Sequence, residues 1–448
     1  MRKHTSFRHH CLSSSQGWLM SLLDTDLSVA HRWIRVGDAY EVTRKPRGLN
    51  MAALPKIPFV PMEAIPQSGR FAPDYVLKDP AGIRSGTYFE RGDVLVAKIT
   101  PSFENGKQAL TTALPTDFGF ATTEVIPLRP FKKGHDSRLL FFYLLHPDVR
   151  YFVAERMEGT TGRQRIPDDV LLELPFPELE LEEQTTIANS LEMIQQLNAV
   201  EARSIAATQE LKRAVMQTLF TRGLRGEAQK ETEIGPVPES WQLQPIGDIF
   251  EIGQGLSLRG NLANDHRGIP FLRTSNVYWG KVELGTVSRM RLGSEAAPDK
   301  LLQPGDLLVC EGGEIGRAAV WEGEIAGCLY QNHLHRLRPL DASRTQTRFA
   351  MSWLEEGFKH RNAYEGAGNR TTIPNLSRAR LAELSMPHPS VDEQKEIVAI
   401  LGTIDRKIDL HRRKRAVLEE LFKALLHKLM TGEIRVGELR LPDFPPNS

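Results

Sequence analysis

Two Gly-rich polar loops carry the side chains best suited to bidentate recognition of a planar partner: Gly159-Thr-Thr-Gly-Arg-Gln-Arg165 and Gly366-Ala-Gly-Asn-Arg-Thr-Thr372. Arg pairs with the O6 and N7 edge of guanine, Asn and Gln pair with N6 and N7 of adenine, and Gly lets the backbone approach closely. The candidates are Arg163, Gln164 and Arg165 in one loop and Asn369, Arg370 and Thr371 in the other. Lys98, Thr100 and Lys107 in the first half are of the same chemical type, as are Arg273, Asn276, Arg317, Gln331 and Asn332 in the second. The alternative for each is an ordinary solvated residue. Tyr278-Trp279 reads equally as a stacking contact or as core.

Catalytic patterns are missing. There is no P-loop and no G-x-G-x-x-G, and Gly253-Gln-Gly255 reads as a turn. There is no D/N-P-P-Y/F tetrad of the kind that holds a flipped adenine. The 13 histidines form no H-x-x-x-H pair, and Cys11, Cys310 and Cys328 have no metal-ligand spacing, which reads as reduced cytosolic thiols. No catalytic and no metal-binding residue is assigned. The longest apolar run, Leu139 to Leu145, is far too short to span a membrane, and the first 20 residues lack the apolar core of a signal peptide. Net charge is +1. Residues 31–180 carry 20 Lys and Arg against 19 Asp and Glu, and residues 231–391 carry 17 against 19. Only clustering on one face could therefore make either half a polyanion binder.

The elements that must position these loops are a duplication. At an offset of 210, Glu183-Gln184 matches Glu393-Gln394, and Ile187, Leu191, Ile194, Leu211, Leu219 and Thr221 match Ile397, Leu401, Ile404, Leu421, Leu429 and Thr431. Gly37-Asp38 and Gly247-Asp248 open the two halves, and Gly92-Asp93 and Gly305-Asp306 lie within them. Short apolar runs punctuated by Gly and Pro predict strands at Val94–Val96, Val125–Leu128, Leu307–Cys310 and Ala318–Trp321. Helical stretches are expected over Leu139–Met157, broken at Pro147, and over Thr347–Ala363. A Pro-punctuated segment in each half then gives way to a long heptad-spaced helix. Its seam is Ile187, Leu191, Ile194, Ile205, Val215 and Leu219 in one copy and Ile397, Leu401, Ile404, Leu418, Phe422 and Leu425 in the other. Asn198, Glu201, Thr208 and Lys212 are polar seam positions suited to fixing register. Such a seam needs a partner, and the nearest is the other copy, running antiparallel. The expected class is α+β: two β-rich domains in tandem, each followed by a long helix, the two helices forming an antiparallel coiled coil. The expected boundaries are an extension of unknown role or a misplaced start over 1–26, a first domain over 27–180, and a helix and linker over 181–230. A second domain over 231–391, a second helix over 392–432 and a tail over 433–448 complete the chain.

The order I-P…L-P-x-P-x-x-x-E-Q followed by a long helix, met twice, resembles the specificity subunits of type I restriction–modification systems. Further resemblance lies in Gly235-Pro-Val-Pro-Glu-Ser-Trp241 through Asp248, in Phe271-Leu-Arg-Thr-Ser-Asn-Val277, in the run from Gly305 to Cys310, and in Asn332-His-Leu-His-Arg-Leu-Arg-Pro339. The first half opens differently, on His31-Arg-Trp33. The resemblance implies that each β-rich domain is a target-recognition domain reading one half of a split double-stranded DNA sequence, and that the helices set the gap. Two methyltransferase subunits and the restriction (motor-nuclease) subunits would dock, in the cytoplasm and without a membrane. The chain itself would be non-catalytic and would hold no cofactor, S-adenosylmethionine, ATP and Mg belonging to the partner subunits. The competing expectations are a coiled-coil adaptor that binds proteins only and an enzyme of unrecognised type.

Overall fold

The computed structural model describes residues 32–438 except 68–70, 132–133, 161, 258–267, 291–297 and 362–374. The 1–26 extension, the Asn369, Arg370 and Thr371 loop and most of the tail lie outside the described residues. The chain divides into two compact units, residues 1–202 with 413–448 and residues 203–412. Eight helices are named here: α1 Ser137–Tyr143, α2 Pro147–Ala154, α3 Asp168–Leu172, α4 Leu181–Arg222, α5 Ile246–Ile249, α6 Thr347–Glu355, α7 Arg378–Glu383 and α8 Val391–Thr431. Helix α4 begins in the first unit and ends in the second, and α8 does the reverse.

The first unit holds an antiparallel sheet in the order Tyr40–Val42, Val125–Pro130, Val94–Ala97, Gln108–Leu110. A second sheet runs Val76–Lys78, Ile57–Val60, Phe118–Ala121, Thr87–Glu90, and its Ile57–Val60 and Phe118–Ala121 strands are parallel. The second unit repeats both. Phe250–Gln254, Leu334–Pro339, Leu307–Cys310 and Ala318–Val320 form its antiparallel sheet. Ser288–Met290, Ile269–Leu272 and Leu329–Tyr330 form the other, again with one parallel pair. Each unit is closed by a strand before it pairing with the Pro-rich strand that ends it: Arg32↔Glu178 in one and Gln242↔His388 in the other, both partners shifted by 210. Prolines are tolerated there because each strand is one of only two in its sheet and needs ladder bonds on a single side.

The predicted strands are found nearly where expected. The first helical stretch is two helices parted at Pro147, whose missing N–H is harmless at the first helical position. The second is α6 followed by a π-helical turn, Glu356–His360. Gly253-Gln-Gly255 is not the expected turn. Gly253 and Gln254 end a strand against Arg336 and His335, and a Cβ on Gly255 would lie 2.2 Å from the Tyr330 carbonyl oxygen. These glycines serve close backbone packing.

Each unit closes its core with half of each long helix. In the first, Leu139, Leu140 and Phe142 of α1 share a core with Ile187, Ala188 and Leu191 of α4 and with Leu426, Leu429 and Met430 of α8. In the second, Phe349 and Trp353 of α6 share a core with Met216, Leu219 and Phe220 of α4 and with Ile397 and Leu401 of α8. Within each unit the start of one helix therefore meets the end of the other, as an antiparallel pair must. Burying a Leu or Ile side chain is worth roughly 1.5–3 kcal/mol, so these side chains are a major part of each core. The seam differs in detail from the expected one. Ile205, Val215, Ile404, Leu418, Phe422 and Leu425 are only half-buried, and the deepest positions at the end of α8 are Leu426, Leu429 and Met430. Phe422 packs 6.0 Å from Phe142, centroid to centroid. Of the polar seam residues, Thr208 turns its hydroxyl back to the Ser204 carbonyl, whereas Lys212 pairs with Asp405 of α8 at 2.9 Å and Glu355 of α6 at 3.2 Å.

The Glu-Gln pair explains how each long helix is fastened. Gln184 accepts from the Asp136 amide and donates to the Gly134 and Leu179 carbonyls. Gln394 accepts from the Gln346 amide and donates to the Arg344 and Pro389 carbonyls. Both are fully buried, and they staple the first turns of α4 and α8 to the starts of α1 and α6 respectively. Glu393 adds a second fastening, accepting from the Leu224 amide and from Trp241 Nε1. Gly223, at φ +60, ends α4 in the left-handed region. A Cβ there would press to 2.9 Å on both Glu393 and Pro238.

The two Gly-Asp turns are built alike and charged differently. Asp93 accepts from the Glu90 amide and Asp306 from the Gln303 amide. Asp306 is also gripped at 2.8 Å by both Nε and Nη2 of Arg338. The corresponding Arg129 turns instead to Glu90 and Glu41. Burial therefore pushes the Asp93 carboxyl up to about 6. A carboxyl whose folded value is raised stabilises the fold fully below its ordinary value near 3.8, and that contribution is lost as pH rises towards 6. Chemical denaturation between pH 4 and 8 is expected to show Asp93→Asn as stable as the parent, or more so, at pH 7. The ceiling is about 3 kcal/mol, from the two-unit shift. Asp306→Asn is expected to lose about 2–4 kcal/mol by stranding Arg338.

Candidate nucleic-acid interface

In the first unit, five of the six candidates come together. Glu158–Thr160 and Arg163–Arg165 form a hairpin. At Gly159, φ is +132 and a Cβ would lie 2.6 Å from the Arg163 carbonyl oxygen, so the tight approach requires glycine. The hairpin is zipped onto the chain leaving the central strand of the sheet. The Ile166 amide donates to the Lys98 carbonyl at 2.8 Å, the Thr100 amide to the Gln164 carbonyl at 3.1 Å, and the Gln164 amide to Thr100 Oγ1 at 3.0 Å. Thr100 is thereby spent on holding the hairpin. Lys107 is directed elsewhere, its Nζ donating to the Met62 carbonyl at 2.7 Å.

Arg165 corrects the expectation of an open guanine reader. Its Nε and Nη2 hold both Glu124 oxygens, at 2.8 and 2.7 Å. This bond holds the Glu124 carboxyl below its usual range, with weaker help from the charges of Lys98 and Arg163. Three cations thus surround one half-buried carboxylate, and Arg163 is exposed on the hairpin. With Glu158 opposite Arg165 on the hairpin, the patch bears net charge +1 in a unit that is nearly neutral as a whole. Clustering, not composition, makes it cationic.

The second unit disperses its candidates. Asn276 is fully buried, accepting from the Arg273 amide and donating to the Glu283 carbonyl and Thr286 Oγ1. It shapes a turn and is withdrawn from the candidate surface. Arg317 is also largely structural: Nη2 donates to the Thr274 carbonyl at 2.7 Å, Nη1 lies 3.5 Å from Glu314, and the guanidinium stands 5.3 Å from the Tyr278 ring. Tyr278 is 49% exposed, while Trp279 donates to Glu314 at 2.5 Å. Arg273 is exposed, and Gln331 and Asn332 are half-buried where their backbone pairs with Leu272 and Leu256.

Two features escaped sequence reasoning. The position matching Lys98, six residues beyond the Gly of the turn in both halves, is Glu311. The Leu376 amide donates to its carbonyl just as Ile166 does to Lys98. The structural counterpart of Ile166 is therefore Leu376, not the Ile373 of the second Ile-Pro pair. Counting from Gly92 and Gly305 would have exposed this charge reversal. The other is a cluster of His146, Asp148 and His427, distant in sequence and close in space.

Comparison with known proteins agrees with the geometry. Residues 238–420 match the family described as type I restriction modification DNA specificity domain. A putative type I restriction enzyme specificity subunit of Methanocaldococcus jannaschii is 26% identical over 353 residues, 77% of this chain and 79% of that protein. The EcoAI specificity subunit of Escherichia coli is 30% identical over 169 residues, 37% of this chain and 29% of that one. Among solved structures, a chain from a study of complex assembly and conformational transition in the type I restriction–modification system superposes with a TM-score of 0.57 at 20% identity. That match covers 90% of this chain and 98% of the other. The type I S subunit from M. genitalium gives 0.54 at 15% identity, over 90% and 96%. With the duplicated units, the shared pair of long helices and these likenesses together, residues 238–420 carry a type I restriction modification DNA specificity domain, and over most of its length the chain resembles specificity subunits of type I restriction–modification systems.

Proposed function

We propose that this chain reads a bipartite, asymmetric DNA sequence for a type I restriction–modification complex, each unit reading one half. The observation that carries this is the duplication itself: two units with corresponding sheets, and with closing strands shifted by 210 residues, but with different side chains at the reading edge. A protein-only adaptor has no need of the Lys98, Arg163 and Arg165 cluster. The chain supplies recognition, and the chemistry, with its S-adenosylmethionine, ATP and Mg, belongs to partner subunits in the cytoplasm. Among the described residues, no helix is long and apolar enough to cross a membrane.

Docking of two methyltransferase subunits is supported by exposed apolar side chains at repeat-related places. The first unit exposes Val200 and Leu421, and the second exposes Leu211 and Leu410. Val200 matches Leu410 and Leu211 matches Leu421, so each unit offers the same pair to an identical partner. With no overall cationic excess, the chain alone is expected to hold DNA weakly and to gain affinity when the methylase adds basic surface. Electrophoretic shifts at several salt concentrations test this. Methylase-dependent, sequence-selective binding supports it, and the lack of any salt-dependent DNA shift in the assembled complex favours the adaptor.

Glu124→Gln removes the carboxylate that holds Arg165. It is expected to strengthen DNA binding without regard to sequence and to steepen the log–log salt slope by about one. Arg163→Ala is expected to reduce that slope by about one if Arg163 meets phosphate. If it meets a base edge, discrimination at one half-site falls by about 1–3 kcal/mol.

The helices act in this proposal as the ruler for the unread gap. Helix α4 has 42 residues, or about 63 Å at 1.5 Å per residue. Four residues inserted after Thr208 and four at the matching place after Leu418 lengthen both helices by about 6 Å, near two base pairs at roughly 3.4 Å each. The expected methylation motif keeps both half-sites and gains a longer gap. An active variant with an unchanged gap places the ruler in the partner subunits.

A further inference from the structure

We propose that His146, Asp148 and His427 form a binding site for a zinc-like divalent transition ion, which pins the last turns of α8 to the first recognition unit. His146 Nε2 and His427 Nδ1 face each other at 3.1 Å. A donor atom from each of the two imidazoles and from the Asp148 carboxylate lies within 4.8 Å of the others. Two nitrogens each ~2.0–2.1 Å from a tetrahedral zinc stand ~3.3 Å apart, so the imidazole pair already has the spacing of a bound pair. Two His and one carboxylate suit zinc and leave its fourth position for water.

Two further observations support a ligand site over simple packing. The far nitrogen of His427, Nε2, lies 3.4 Å from Glu433. A carboxylate on the outer nitrogen of a histidine fixes the ring and raises its basicity as a ligand, a recurring arrangement around metals. The duplication also supplies an internal control. The positions matching His146, Asp148 and His427 in the second unit are Glu356, Phe358 and Gln217, and that unit builds the same helix docking without them. The fold does not require these three residues at this junction.

Binding through His146 Nε2 moves the ring proton to Nδ1 and gives up the 3.2 Å bond that Nδ1 accepts from the Asp148 amide. This exchange sets the expected affinity below that of closed structural sites. The ion would join the α1–α2 junction to α8 across 281 residues of chain. Its release would loosen the end of α8 from the first unit alone.

The test is calorimetric titration of the full-length, metal-stripped chain with zinc chloride, and with cobalt chloride followed by visible absorption. His427→Gln copies the residue that the second unit carries at this place, and Asp148→Asn keeps the shape of the carboxylate. The parent is expected to take up one zinc, to melt a few degrees higher with it, and to give intense tetrahedral cobalt bands. His427→Gln is expected to lose that site, and Asp148→Asn to bind at least tenfold more weakly, both with unchanged circular dichroism. Absence of zinc uptake by the parent overturns the proposal. So does equal uptake and an equal melting shift in His427→Gln, which would assign the ion to other histidines such as His9 and His10.

Discussion

Neither recognition unit can close its apolar core from contiguous chain, and this constraint governs the rest of the structure. The first domain leaves Leu139, Leu140 and Phe142 needing cover, and α8 brings Leu426, Leu429 and Met430 from the far end of the sequence to supply it. The second domain is covered in the same manner by Met216, Leu219 and Phe220, which belong to the helix that starts in the first. Each long helix must therefore be continuous and apolar at both ends. It must also be capped where its docking ends, as Gly223 does for α4. The buried Gln184 and Gln394 complete this arrangement by satisfying backbone groups at the joint between domain and helix, where an unpaired amide or carbonyl would cost about 1–3 kcal/mol.

On this common frame the two units have diverged in charge while keeping their backbone wiring. Ile166 and Leu376 donate to equivalent carbonyls, yet one belongs to Lys98 and the other to Glu311. Arg338 grips Asp306, whereas its counterpart Arg129 leaves Asp93 to burial. Lys212 bridges the buried Glu355 and the half-exposed Asp405 in the second unit at the place where Phe422 packs on Phe142 in the first. A frame held by backbone and apolar contacts tolerates such exchange at its edges. That is the physical condition for two readers of different targets to share one architecture.

The sequence made the frame legible because the duplication acted as an internal alignment. Glu183-Gln184 against Glu393-Gln394, the isoleucines and leucines that open the two long helices and the Gly-Asp pairs that open the two halves all sit where the offset of 210 placed them. The seam was misread towards the end of α8, where Leu418 and Leu425 were preferred to Leu426 and Met430. A heptad pattern describes two helices facing each other, but here the deepest positions also face a domain, which turns the buried stripe around the helix. Individual site residues were less legible. Arg165 and Asn276 have the right chemistry for base edges, yet whether a polar side chain faces out or is spent on its own turn depends on partners such as Glu124 and Glu283, far away or unremarkable in sequence. The His146, Asp148 and His427 cluster was invisible for the same reason, since no short spacing brings it together.

The central claim is that this one chain decides which DNA sequence is modified. It is tested most directly by mapping methylated adenines across the host genome with the gene present, deleted, and restored as the Arg163→Ala variant. The account predicts that a single bipartite motif loses its methylation on deletion, and that the variant restores methylation either with discrimination relaxed in one half of that motif or with lower occupancy of the unchanged motif. An unchanged methylation map after deletion, or a variant that relaxes discrimination in both halves, would contradict it.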